Sequence, residues 1–228
     1  MDKGGLIDML KGKIEKLKTN IIRFAGLVDN MLRDTEKCAY NRDHVIANNI
    51  ITNLEQLSNR IEVENETLFI EFLALFQPEA TDLRTVVSLL KINNNLERIA
   101  DHCVNIAQRI SVYTSINSFK NLKNMFNIVQ KMFKDTFSAF TSNDTSNLKT
   151  IINQDKFVDK ELKELTDEVI NTMDSYHSMS SNAISALLIG RDLERIADLT
   201  VNICEDIIYM TKGDVIKHNL YIPSESNL

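Results

Sequence analysis

The run Leu96-Glu97-Arg98-Ile99-Ala100-Asp101-His102-Cys103-Val104-Asn105-Ile106-Ala107 returns 97 positions later as Leu193-Glu194-Arg195-Ile196-Ala197-Asp198-Leu199-Thr200-Val201-Asn202-Ile203-Cys204, with nine of twelve residues unchanged. A self-match at that period means two copies of one structural unit in tandem. What kind of unit follows from what the chain lacks. Its 228 residues include 6 Gly, 2 Pro and no Trp, too few turn residues for a set of hairpins, while 43% hydrophobic and 25% charged content is ordinary for a folded protein. The composition points to an all-helical chain.

Periodicity gives the organisation. From Leu6 to about Tyr40 apolar residues recur at steps of three and four, which reads as one long helix. A second should run from about Asp43 to Phe76, with Ile50, Leu54, Leu57, Ile61, Leu68 and Leu75 as its buried stripe, and should stop at Pro78. A third, capped by Thr81 or Asp82, carries a seam at Leu89, Ile92, Leu96, Ile99, Cys103, Ile106 and Ile110 in alternating steps of three and four. The polar stretch Ser111 to Lys120 breaks the pattern, and three more helices follow, at about 122–140, 147–173 and 181–210. The expectation is an all-α fold of two tandem, similar up-down-up three-helix bundles, six long helices in all. The first repeat would take 1–113 and the second 114–213, with 214–228 a frayed tail. The offset of 97 also carries Ile61 to Val158, Glu62 to Asp159, Glu64 to Glu161 and Leu68 to Leu165.

Charge and cysteine content narrow the function classes. A net charge of −6 gives no positive field for phosphate backbones, so nucleic acid is not expected as a partner. Cys38, Cys103 and Cys204 are odd in number and form no Cys-x-x-Cys pair, against a disulfide framework or thiolate zinc site and in keeping with a reducing, cytoplasmic setting. There is no signal-peptide core and no uncharged run of about 20 residues, which leaves only a peripheral role at a membrane. No phosphate loop, nucleophile elbow or other catalytic constellation is present, and the chain reads as no enzyme.

Repeated core positions need no explanation beyond packing, but repeated outward polar positions do. On the seam above, Glu97, Asp101 and Asn105 point away from the core, as do Glu194, Asp198 and Asn202. Each carboxylate pair stands at i, i+4 on one strip of helix. In an antiparallel hairpin, setting Glu62 opposite Glu97 centres the turn at Glu79-Ala80 and puts Ser58 opposite Asp101. Setting Asp159 opposite Glu194 centres the turn at Tyr176-His177 and puts Asp155 opposite Asp198. Four carboxylates then converge in the second bundle, and three with a serine in the first. At about 5 Å two such charges repel by about 3 kcal/mol at an effective dielectric of 20, so the cluster either shares protons or holds cations. An all-oxygen set suits hard ions such as Mg²⁺, Mn²⁺ or iron, with bridging carboxylates allowing more than one. Neither copy has the Glu-x-x-His of the di-iron bundles, which argues against oxidase chemistry. Arg98 and Arg195 either pair with the acidic strips or present a basic rim to a phosphate-bearing or acidic partner.

The doubled Glu-x-x-x-Asp-x-x-x-Asn strip, with Leu75-Phe76-Gln77-Pro78, Asp82-Leu83-Arg84 and Asp155 to Asp159, resembles the signature of the PhoU family over about Leu6 to Met210. The resemblance implies a cytoplasmic negative regulator of phosphate uptake and phosphate-starvation signalling. It further implies links to the ATPase subunit of a phosphate ABC transporter and to a membrane sensor histidine kinase, and multinuclear metal clusters, iron in some members. Carried over residue by residue, the ligands are Glu62, Glu97 and Asp101 in the first cluster and Asp155, Asp159, Glu194 and Asp198 in the second, with Asn105 and Asn202 in support. The chain departs from the pattern at Ser58, where an Asp is usual, and at Leu199, so the first cluster is expected to bind metal more weakly. A homodimer is left open, and the alternatives are a metal-free helical adaptor or a carboxylate-bridged di-metal enzyme.

Overall fold

The computed structural model describes residues 3–112, 119–175, 180–217 and 220–222. Helix α1 (Lys3–Asn41) ends at Arg42, whose φ of 55° turns the chain back. Asp43 caps α2 (His44–Asn49) by accepting from the amides of Val45 and Ile46, at 3.0 and 3.1 Å. A π-turn (Ile50–Leu54) then leads without a break into α3 (Glu55–Phe76), so the expected second helix is one rod with a single irregular turn. Gln77, at φ 43°, and Pro78 end it. Helix α4 (Ala80–Val112) starts ahead of both expected caps, so Thr81 and Asp82 lie in its first turn, where the Asp82 carboxylate favours the exposed amides. The second copy consists of α5 (Lys120–Ser142), α6 (Leu148–Ser175) and α7 (Ser180–Lys212). These are the six long helices of the tandem bundle. The expected break at Ser111 to Lys120 is shorter at its ends, since Ser111 and Val112 continue α4 and Lys120 opens α5, while 113–118 and the turn centre at Tyr176-His177 lie outside the described residues.

After Gly213 the chain does not fray at once. Val215–Lys217 (β1) and Leu220–Ile222 (β2) form a short antiparallel hairpin with Val215 opposite Ile222, and the end of the expected tail, 223–228, lies outside the described residues.

The repeat is deeper than the matching residues suggest. The seam of α4 is buried as expected and its counterparts on α7 are buried 97 positions on. On α1 and α5 burial also matches, but at an offset of 101: Ile21 with Leu122, Phe24 with Met125, Val28 with Val129, Thr35 with Thr136. Both threonines are wholly buried and return their hydroxyls to the carbonyl four residues back, Met31 at 2.9 Å and Met132 at 2.7 Å. The same offset holds for Ala47 with Leu148 and Ile50 with Ile151. Past the π-turn it drops to 100, pairing Ser58 with Val158, Asn65 with Leu165 and Phe69 with Val169. A π-turn is a one-residue insertion in a helix, so the first copy's extra residue is visible as that turn.

Extending the offset of 97 back onto the second helix is therefore corrected to 100. Val158 and Leu165 are wholly buried, whereas Leu68, the supposed match of Leu165, is 41% exposed and Ile61, that of Val158, is only partly buried. The expected stripe on that helix is corrected with it. Ile50 is buried, but Leu57, Leu68 and Leu75 are exposed, and the seam runs through Ser58, Asn65, Phe69 and Phe72. The buried polar residues explain the error, because an apolar template slips by one position to avoid them. Asn65 is satisfied by donating from Nδ2 to Asn93 Oδ1 at 3.0 Å, and Asn93 Nδ2 donates to the Glu62 carbonyl at 3.0 Å. At the same crossing in the second copy Leu165 packs on Gly190, where an added Cβ would lie 2.6 Å from the Leu165 methyl Cδ2. One copy crosses its helices on an amide pair, the other on a leucine against a glycine.

The copies pack through antiparallel α4 and α7. Arg84 Nε donates to the Met210 carbonyl at 3.4 Å, Lys91 Nζ lies 3.7 Å from Asp206 Oδ1, and His102 Nδ1 lies 2.9 Å from Asp192 Oδ1. This register sets Ile99 opposite Ile196, its own repeat counterpart, so a pseudo-twofold axis passes between them. All three cysteines are free and buried, and burial pushes each thiol up to about 12, which leaves them inert.

Candidate metal centres

The outward strips of α4 and α7 face the neighbouring helices α3 and α6, and the electrostatics report which carboxylates meet. In the second copy the Asp155 carboxyl is pushed up to about 6, first by burial and then by the charges of Asp159, Asp198 and Glu194. Its Oδ1 is buried without a hydrogen-bond partner. Glu194 is raised by burial and by Asp198 and Asp159, against the lowering pull of Arg195 and Arg191. All four expected residues of this cluster, Asp155, Asp159, Glu194 and Asp198, therefore lie within electrostatic reach of one another. Arg195 braces the strip, with Nε 3.5 Å from Glu194 Oε2 and Nη1 3.2 Å from Asp198 Oδ2.

In the first copy Glu97 is raised by burial and by the charges of Asp101 and Glu62, against the lowering pull of Arg98. Glu62 is raised by burial and by Glu66 on its own helix. The three expected residues, Glu62, Glu97 and Asp101, are thus near one another, but Ser58 is not part of the strip. It is wholly buried in the α3 seam at the position of Val158, and its hydroxyl has no partner. The corrected offset names the residue that does correspond to Asp155: it is Glu55, with Asn59 at the position of Asp159. Glu55 thus holds the same register against Asp101 that Asp155 holds against Asp198. Sequence reasoning missed it because the π-turn and the Pro78 corner change the spacing between the copies.

Among the described residues no three carboxylate, imidazole or thiol groups are drawn up to metal-binding spacing. The strips face each other across the helix pairs without closing on a common point. The donor set nonetheless fits a hard cation: the groups are all oxygen, they raise one another's proton affinity, and Asp155 keeps a buried oxygen unpartnered. Asp155, Asp159, Glu194 and Asp198 would hold an ion in the second copy, and Glu62, Glu97 and Asp101 with Glu55 in the first. Among the described residues no helix is long and apolar enough to cross a membrane.

A tandem pair of three-helix bundles with facing acidic strips on both defines a two-fold repeat protein with paired carboxylate sites. The PhoU domain model matches it twice, over residues 21–110 and 122–207, and the chain belongs to the PhoU family. It is 29% identical over 214 residues to the phosphate-specific transport system accessory protein PhoU of Serratia marcescens, covering 90% of this chain and 86% of that protein. The PhoU homolog of Aquifex aeolicus is 30% identical over 209 residues, with 90% and 94% covered. The crystal structure of the phosphate transport system regulatory protein PhoU from Streptococcus pneumoniae superposes with a TM-score of 0.83 at 26% identity, covering 91% of this chain and 99% of that one. PhoU from Pseudomonas aeruginosa gives 0.84 at 26% identity, covering 89% and 99%.

Proposed function

We propose that the protein is an accessory regulator of phosphate-specific transport that restrains uptake and phosphate-starvation signalling from the cytoplasmic side, and that it binds hard metal ions through its two carboxylate sites. The relatives named as transport accessory or regulatory proteins support the first part, and their names describe no catalysis. The observation that carries the second is the mutual raising of Asp155 and Glu194 across α6 and α7, with Asp159 and Asp198 contributing. Four carboxylates held together on two rigid rods form a cation site whose affinity comes from relief of their repulsion. The corrected register ranks the sites: each can draw on four carboxylates, but in the first Asn59 takes the place of Asp159 and the fourth carboxylate, Glu62, stands three residues further along α3.

On this reading the surface connects a transporter ATPase subunit with a membrane sensor kinase. Purification from cells grown in high and low phosphate tests it: the ATPase or the kinase should accompany the protein in the membrane fraction under high phosphate. A second reading, a metal-free adaptor, draws on the ion pairs by which Arg195 already neutralises part of its strip. Elemental analysis after purification without chelator separates the two.

A further inference from the structure

Arg98 and Arg195 are repeat counterparts with the same neighbours, yet they behave differently. Arg195 pairs with both carboxylates of its own strip, Glu194 and Asp198. Arg98 has Glu97 and Asp101 at the same spacings and pulls the Glu97 carboxyl down by its charge, but it is exposed and not drawn into the paired bridges that hold Arg195. Its guanidinium instead lines a cavity of about 440 Å³ between α4 and α7, together with His102, Arg195 and Asn202.

The location of this cavity follows from the fold. The α4 to α7 register sets Ile99 against Ile196 at the pseudo-twofold axis, so Arg98 and Arg195, each one residue earlier, flank that axis from opposite sides. His102 adds a third nitrogen-bearing group. Its Nδ1 lies 2.9 Å from Asp192 Oδ1, and a carboxylate only accepts, so the Nδ1 proton is fixed there and Nε2 is the ring atom left to the cavity. Asp198 and Glu205 also line it, but Asp198 is engaged by Arg195. Arg98 brings a planar fork of parallel N–H donors to this small polar cavity, and Arg195, whose Nε and Nη1 face Glu194 and Asp198, adds Nη2, so two guanidinium groups can meet the oxygens of a tetrahedral anion.

We propose that this cavity binds a phosphate-class oxyanion between Arg98 and Arg195, with Asn202 as a further donor and His102 Nε2 accepting from a P–OH of the anion. The site borders the second carboxylate strip through Asp198, but it needs neither the metal nor the regulatory role proposed above.

The test is titration of the purified full chain with inorganic phosphate in a chelator-containing buffer, followed by calorimetry and by phosphorus NMR. Saturable binding of one phosphate per chain is expected. Arg98 is exposed, so Arg98→Ala should fold normally, and it should weaken binding about tenfold or more, the usual effect of losing a charge-assisted hydrogen bond. Arg98→Lys should fall between the two, and Arg60→Ala, on α3 outside the cavity, should bind as the parent does. Absence of saturable binding by the parent chain, or equal affinity in Arg98→Ala, would overturn the proposal. So would binding that appears only on adding Mn²⁺ and survives Arg98→Ala, since the anion would then sit on the metal.

Discussion

His102 Nδ1 lies 2.9 Å from Asp192 Oδ1, and the other oxygen of that carboxylate lies 3.2 Å from Arg109 Nε. Asp192 belongs to the second copy and both partners to the first, so one nearly buried carboxylate ties the repeats together. Removing it leaves Arg109 and His102 facing each other across a partly desolvated gap. Asp192→Ala should cost about 2 kcal/mol, near the middle of the range for hydrogen bonds to charged groups, because both partners keep some solvent contact. Urea unfolding followed by circular dichroism measures this, and an unchanged midpoint would show that the contact contributes nothing.

The metal-free protein should lose stability as pH rises through the titration of Asp155. Its carboxyl is raised from 3.8 to about 6 in the folded chain, so between those values the folded state holds more protons than the unfolded one. Stability from this group is therefore fully present below pH 4 and is lost as pH climbs past 6. With half of the group solvent-screened, the loss amounts to about 1 kcal/mol. Asp155→Asn in chelator should remove that slope and be the more stable protein at pH 8. Urea midpoints at pH 5 and pH 8 for both chains decide it.

Ser58 separates two accounts of the first copy. As a strip residue it would be improved by Asp. As a buried seam residue with an unpartnered hydroxyl, Ser58→Ala should stabilise by about 0.5 to 1 kcal/mol, and Ser58→Asp should destabilise by about 3 kcal/mol or more. Thermal melts of the two variants give opposite signs on this account.

Gly190 lets α6 and α7 approach closely enough for their carboxylates to face each other. In Gly190→Ala the new methyl meets Leu165 at 2.6 Å and Leu162 at 3.1 Å. Overpacking of about 1 to 3 kcal/mol exceeds the helix-propensity gain of about 1, so a net loss near 1 kcal/mol is expected. Spreading the two helices should also weaken metal binding in the second copy while leaving the first unchanged.

Much of this was legible in the residues alone. The Leu89 to Ile110 seam, the Pro78 stop and the Asp43 start are local signals, because period, breaker and cap act within a turn or two of helix. The carboxylates of the second strip were legible because they repeat at fixed spacing on polar faces. What was hidden is non-local or polar. The π-turn at Ile50–Leu54 shifts everything after it by one residue without any breaker to announce it. Ser58 and Asn65 lie in the core, where an apolar pattern passes over them. Together these concealed Glu55 as the counterpart of Asp155. The Asp192 bridge was equally hidden, since its partners lie 83 and 90 residues away.

The most direct measurement is calorimetric titration of the chelator-stripped protein with Mn²⁺, comparing the parent with Asp155→Asn, Glu55→Gln and Ser58→Ala. The account predicts two classes of site, the tighter abolished by Asp155→Asn, the weaker by Glu55→Gln, and neither altered by Ser58→Ala. No saturable metal binding by the parent chain, or binding indifferent to Asp155, would contradict it.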